Sequence, residues 1–151
     1  MQSVRPRFMV GKHPKRSARP GVDEYGRTPL HYAAADGDVA VCSTLVGAGA
    51  DPNAADDNGW TALHFAAQAQ SPDVTTVLLK AGASTEVKDN CGNTPLWRAT
   101  MTSRGRGDVI AKLRDAGADP YALNNFGHSP IGIARSVDNH PLASFYADLP
   151  E

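Results

Sequence analysis

Cysteines and long apolar runs are scarce in this sequence, and each scarcity excludes a class of protein. The 151 residues include only two cysteines, Cys42 and Cys91, which form no CxxC pair. Neither a disulfide framework nor a cysteine zinc site is therefore predicted, and a cytoplasmic location is expected. Because the longest apolar stretches span a few residues, far fewer than the roughly 18 to 20 of a transmembrane helix, we expect no membrane span.

Motifs of the common enzyme classes are also missing. The sequence contains no GxSxG elbow, P-loop, HExxH or dinucleotide-binding glycine motif, and its five histidines are dispersed without ligand spacing. Nucleophilic, phosphoryl-transfer and metallohydrolase chemistry therefore have no motif to support them. We predict that the protein is not an enzyme, with no catalytic residue, metal or cofactor.

Residues 1–20 differ in charge from the rest of the chain. They hold six of the fifteen Lys and Arg residues and no acid, so the other nine cations face all sixteen acids after residue 20. Their apolar run, Phe8 to Val10, is much shorter than the roughly 7–15 residues of a secretory signal core. This segment is expected to be a flexible basic tail or an N-terminal cap over the first unit, and both alternatives stay open.

One motif recurs four times along the chain. GRTPLHYAA from Gly26 returns as GWTALHFAA from Gly59, as GNTPLWRAT from Gly92 and, more faintly, as GHSPIGIAR from Gly127, at intervals of 33, 33 and 35 residues. A fixed period of this length is typical of stacked-repeat proteins. The longer third interval places a two-residue insertion between Leu96 and Gly117.

Each unit predicts a turn, a short helix, a loop and a second helix. Hydroxyl side chains precede the first helices and can cap them, and proline follows in three units. These residues are Thr28, Thr61, Thr94 and Ser129, with Pro29, Pro95 and Pro130. Glycine then supplies a left-handed residue after each of the first three second helices, at Gly49, Gly82 and Gly117. In the last unit, His140-Pro141 is predicted to open the second helix of a C-terminal cap, in which polar residues accompany only a few large apolar ones.

The period, the TPLH motif followed by alanines, the GAD marker and the DxxG turns resemble the ankyrin repeat family over about residues 21–149. The resemblance implies an all-α solenoid of stacked helix-turn-helix units with β-turn or hairpin tips. Residues 21–151 would form the repeat domain, with repeats at about 23–55, 56–88, 89–123 and 124–151. Departures include Ala62 in place of proline and Trp97 in place of the motif histidine.

By the same resemblance, the turn tips and the concave face of the first helices bind another protein, and the motif histidines His31 and His64 bond backbone rather than catalyse. The candidate contact residues are Tyr25, Arg27, Asp36, Asp57, Asn58, Trp60, Gln68, Asn90, Asn93, Trp97, Met101, Phe126 and His128. No small-molecule substrate is implied.

Several candidates also have a purely structural interpretation. The rings of Tyr25, Trp60 and Phe126 either contact a partner or fold onto a neighbouring unit, and Trp97 either fills a gap or widens the concave face. The inserted loop, Ser103 to Gly107, carries two arginines that either pair with an acidic partner or are simply solvated. Cys42 is predicted to be buried, and Cys91 to be the accessible thiol.

Three functional hypotheses follow. The first is a non-enzymatic binding module whose acidic body is steered to a basic protein surface. The second is an inhibitor, such as the small ankyrin immunity proteins that bacteria encode against a toxin, because the composition is rich in Ala, Arg and Gly with few Lys. The third is nucleic-acid or anionic-surface binding by the basic tail, which the acidic body disfavours.

Overall fold

The computed structural model describes residues 20–136 and 141–150, and over these ranges it is helical with no β-strand. The helices are α1 Pro29–Asp36, α2 Val39–Gly47, α3 Ala62–Gln68, α4 Pro72–Lys80, α5 Pro95–Met101, α6 Asp108–Asp115, α7 Pro130–Ser136 and a 3₁₀ helix Pro141–Tyr146. The alternatives for the basic segment at residues 1–19, and the part of the last unit at Val137–His140, lie outside the described residues.

The helices stack in two layers. The first helices contact one another in the order α1, α3, α5 and α7, and the second helices in the order α2, α4 and α6. Each first helix also packs on its own second helix. This arrangement confirms the predicted all-α solenoid of helical hairpins.

Small residues and one large aliphatic residue per unit form the inner layer of the core. Leu30, Leu63, Leu96 and Ile131 occupy equivalent positions in α1, α3, α5 and α7, and all four are buried. Buried alanines follow them in each helix. Because the alanine side chain is small, neighbouring helices can approach each other closely. A single unit cannot bury this apolar face, so each unit depends on its neighbours.

The helix starts follow the predicted capping chemistry. The hydroxyls of Thr28, Thr61 and Thr94 accept a hydrogen bond from the backbone N–H three residues on. Asp38 and Ser71 do the same for α2 and α4. Such caps satisfy N–H groups that have no partner inside the helix. The predicted left-handed glycines at 49, 82 and 117 are confirmed by their positive φ angles.

The last unit closes with a helix that begins at Pro141, as predicted. Its second helix is a six-residue 3₁₀ helix, and that helix buries Leu142 and Tyr146. The hydroxyl of Tyr146 lies 2.6 Å from the Thr100 hydroxyl, and burial raises the pKa of the phenol to about 12. The few large apolar residues of the cap therefore attach it to the preceding unit.

Candidate functional site

A row of four turn tips begins with Asp23, Asp56, Asp89 and Asn124. In each tip the side-chain Oδ1 of that residue accepts hydrogen bonds from two backbone N–H groups, two and four residues on. These bonds hold every tip in the same shape. The tips also pair along the row, because the backbone N–H groups of Asp57, Asn90 and Asn125 donate to the preceding tip.

The predicted contact residues on the tips divide by exposure. Asn58, Asn90 and His128 are exposed, and Asp57 is half-buried. Asn93 is buried: its carbonyl accepts from His64 and its side-chain oxygen accepts from Asn124. Asn93 therefore joins neighbouring units and offers no side chain to a partner.

The aromatic candidates also divide into two groups. Phe126 is 71% exposed and Tyr25 is 53% exposed, so neither ring is folded down onto a neighbouring unit. Trp60 is half-buried and lies 4.8 Å from the ring of Phe65. Trp97 is half-buried too, and its indole Nε1 is buried with no hydrogen-bond partner in the part of the chain that is described.

Two arginine side chains, Arg27 and Arg98, lie against the aromatic rings of this surface. The guanidinium of Arg27 lies 5.2 to 5.9 Å from the ring centres of Tyr25, Tyr32 and Phe65. Arg98 lies 4.4 Å from the ring centre of Trp60 and 5.5 Å from that of Trp97. Both are within the range of a cation–π interaction.

Buried carboxylates fix the two arginines. Arg27 Nε lies 3.1 Å from Asp56, which also raises the pKa of Arg27, and Arg98 Nη2 lies 3.2 Å from Asp89. Sequence reasoning missed Arg98. The signal was its alignment with Tyr32 and Phe65 at the fifth position of the TPLHY motif, where repeats one and two carry an aromatic residue.

The ends of the first helices add an exposed rim. Asp36, Gln68 and Met101 lie at the ends of α1, α3 and α5, and all three are exposed. The inserted loop packs against the preceding unit, because Arg106 donates to the carbonyl of Gln70. Arg104 in the same loop remains exposed.

Among the remaining histidines and cysteines, His31, His64 and Cys42 are buried, and Cys91 lies on the third turn tip. Burial lowers the pKa values of His31 and His64, and it raises the pKa of Cys42. Cys42 is buried and Cys91 exposed, as predicted. Within residues 20–136 and 141–150, no group of three or more His, Cys, Asp and Glu side chains could hold a metal ion. No helix in those ranges is long and apolar enough to cross a membrane.

Stacked helical hairpins joined by a row of identical turns define a tandem-repeat protein. The family model described as ankyrin repeats (3 copies) matches residues 30–124. The chain therefore belongs to the ankyrin repeat family, as its motifs indicated.

A curated relative is similar over a short segment. Over 35 residues, the chain is 49% identical to cyclin-dependent kinase 4 inhibitor B from Mus musculus. The match covers 23% of this chain and 27% of that protein. The segment is about one repeat long.

Proposed function

We propose that this protein is a non-enzymatic module that binds a protein partner through its turn tips and the layer of first helices. Ankyrin repeats are protein-interaction modules. The observation that supports this surface is that the large apolar side chains of Tyr25, Met101 and Phe126 are exposed on the tips and the first-helix layer. Large apolar side chains that are exposed to water cost free energy, and a partner that covers them removes this cost. We propose, as part of the same function, that the protein acts in the cytoplasm.

The charge distribution supports a basic partner. Residues 21–88 hold nine acids and three Lys or Arg, whereas residues 89–151 hold seven acids and six cations. The first two repeats are therefore the acidic end of the body, and Asp36 lies exposed there. Attraction between oppositely charged surfaces raises the association rate of two proteins, and this increase disappears as salt screens the charges. We expect the association rate to fall as ionic strength rises; a rate independent of salt would contradict a basic partner.

Alanine variants test the surface. Tyr25→Ala and Met101→Ala remove exposed side chains from the proposed surface, and Val41→Ala removes an exposed side chain from α2 in the other layer. We expect the first two variants, but not the third, to lose a specific protein captured from native lysate by the wild type. Thermal unfolding should show that all three stay folded. Equal capture by all variants would refute the proposed surface.

A second candidate is that binding inhibits an enzyme. It is favoured by the similarity to the cyclin-dependent kinase inhibitor, whose name states its inhibitory activity. If the candidate holds, a captured enzyme should lose activity when the purified protein is added, and Tyr25→Ala should restore it. The immunity hypothesis remains a prediction from the sequence. Co-expression with a toxin encoded by a neighbouring gene tests it, since an immunity protein would rescue growth.

A further inference from the structure

The second turn tip carries an asparagine that is followed by a glycine. Each of the four tips has a glycine with a φ angle of 76 to 82°. At Gly59 a Cβ would also lie 2.9 Å from Asp89 Cα, so both the backbone and the packing require glycine there. The residues before the four tip glycines are Tyr25, Asn58, Cys91 and Phe126. Asn58 is the only one of the seven asparagines in the sequence that precedes a glycine.

The side chain of Asn58 is also less restrained than those of the other asparagines. Asn58 is exposed, and its side-chain amide makes no hydrogen bond within residues 20–136 and 141–150. The other asparagines of those ranges all have a hydrogen-bonded side chain, namely Asn53, Asn90, Asn93, Asn124 and Asn125. The Asn58 side chain is therefore free to turn toward the backbone nitrogen of Gly59.

The backbone of the tip, in contrast, is held by three hydrogen bonds. The Gly59 N–H donates to the Asp56 carbonyl and the Asn58 N–H to Asp56 Oδ1, both at 2.9 Å. The Asn58 carbonyl accepts the backbone N–H of Asn90 in the third tip at 3.0 Å. Equivalent backbone bonds join the other neighbouring tips, and together they form the tip ladder. While these bonds are closed, the Gly59 nitrogen is not available to react with the side chain.

We propose that Asn58 is a site of spontaneous deamidation, and that opening of the second tip controls its rate. In the open tip the Gly59 nitrogen forms a bond to Asn58 Cγ, and the bond from Cγ to Nδ2 breaks. Ammonia leaves with the proton of the Gly59 N–H, and a five-membered succinimide ring remains. Water from the solvent opens this ring at either carbonyl, which gives aspartate or isoaspartate at position 58. Glycine favours the attack because it has no side chain to hinder it.

The two products should affect the fold differently. Aspartate keeps the backbone and adds one negative charge to an exposed side chain. Isoaspartate adds a carbon atom to the main chain between the Cα of residue 58 and the nitrogen of Gly59. That extra atom displaces the carbonyl that accepts from Asn90 and the N–H that donates to Asp56. Isoaspartate, but not aspartate, should therefore weaken the interface between the second and third repeats. This reaction needs no partner, so it goes beyond the function proposed above.

Prolonged incubation of the full chain in mildly alkaline buffer tests the site. Peptide mass spectrometry with electron-transfer fragmentation locates each deamidation and distinguishes aspartate from isoaspartate. We expect Asn58 to react faster than Asn53, which is also exposed but precedes alanine and has a hydrogen-bonded amide. Asn90→Ala removes a side-chain hydrogen bond to the Asp57 carbonyl in the second tip, so it should speed the reaction at Asn58 about fivefold. The matched control is Asn125→Ala, which removes the equivalent bond at the next step and should leave that rate unchanged.

Urea unfolding of incubated samples tests the effect on the fold. The wild type should develop a less stable fraction that matches its isoaspartate content, and Asn58→Gln should not, because its longer side chain closes a ring far more slowly. Fresh Asn58→Asp should unfold like the fresh wild type. Three results would overturn the proposal: a rate at Asn58 no higher than at Asn53, equal rates for the two alanine variants, or the same rate in folded and urea-unfolded chains. None of them bears on the capture experiment with Tyr25→Ala.

Discussion

At the scale of single residues, His31 and His64 connect neighbouring repeats. His31 Nδ1 accepts the backbone N–H of Thr28, so the ring proton of the neutral imidazole lies on Nε2. That nitrogen is 2.9 Å from the Trp60 carbonyl in the next repeat. His64 makes the equivalent bonds to Thr61 and to the Asn93 carbonyl. Protonation would turn Nδ1 into a donor and break the bond at the helix cap, whereas Nε2–H would still donate across the repeat interface.

This geometry predicts that acid destabilises the fold. Burial holds the pKa values of both histidines below the ordinary value of about 6.5. Above that value both folded and unfolded chains are neutral at these rings, and the full stability is present. As the pH falls below it, the unfolded chain takes up protons that the folded chain cannot. Stability should fall by up to about 1.4 kcal/mol per histidine for each pH unit.

Urea unfolding between pH 7 and pH 5 measures this loss. A His64→Asn variant should be less stable at pH 7 because it loses two buried hydrogen bonds. Its stability should also depend less steeply on pH, because one of the two titrating rings is gone. Identical pH slopes for the variant and the wild type would contradict the assignment.

The two aromatic groups predict opposite effects of truncation. Trp60 packs against Phe65 and beneath Arg98, so Trp60→Ala should lower the free energy of unfolding by about 2 kcal/mol. Tyr25 is exposed, and Tyr25→Ala should change it by less than about 1 kcal/mol. Denaturant titration compares the two directly. Losses of equal size would mean that Tyr25 is a packing residue as well.

At the scale of elements, the C-terminal 3₁₀ helix is held by one arginine on α6. Arg114 donates to the Phe145 carbonyl at 2.6 Å and binds both carboxylate oxygens of Asp148 at 2.7 and 2.9 Å. Its guanidinium also lies 5.2 Å from the ring centre of Tyr146. These contacts attach a six-residue element that is too short to be stable alone.

A single methyl group should disturb this attachment. A Cβ on Gly107 would lie 2.5 Å from Phe145 Cε1, so Gly107→Ala should force the 3₁₀ helix to shift and cost about 1–3 kcal/mol. The control is Gly47→Ala in α2, where a Cβ meets nothing within 4 Å. That change should be neutral or stabilising by up to about 1 kcal/mol. Thermal unfolding distinguishes them, and Phe145→Leu should partly rescue Gly107→Ala.

The elements also show what the sequence could and could not predict. Helix caps at Thr28 and Thr61 and the left-handed glycines were predictable, because they depend on local chemistry repeated at a fixed period. The burial of Asn93 and the packing of Arg106 against Gln70 were not, because they depend on contacts between residues that are 31 to 36 positions apart. A single sequence specifies the spacing of such residues and leaves their partners undetermined.

At the scale of the whole molecule, stability is distributed over interfaces between adjacent repeats. In the described residues, the main contacts of the tip ladder and the two helix layers join neighbouring units. Weakening one interface should therefore separate the stack into parts. Gly59 and Gly92 lie at two of these interfaces, whereas a Cβ on Gly127 would meet nothing within 4 Å. The three glycines share φ angles of 80 to 82°.

Two alanine substitutions distinguish the loss of stability caused by steric conflict at a repeat interface from the loss caused by backbone strain. Gly92→Ala and Gly127→Ala impose the same left-handed strain, because their φ angles are 82° and 80°. Only Gly92→Ala also drives a Cβ to 2.5 Å from Asn125 Oδ1 and 2.7 Å from Asn125 N. We therefore expect Gly92→Ala to cost at least about 1 kcal/mol more than Gly127→Ala.

The shape of the unfolding curve should change as well as its midpoint. Uncoupling the fourth unit from the first three in Gly92→Ala should broaden the urea transition and lower its slope, because the parts then unfold separately. Gly127→Ala should shift the midpoint and keep the slope of the wild type. Equal costs and equal slopes would show that the tips contribute little to coupling, and that the helix layers alone hold the repeats together.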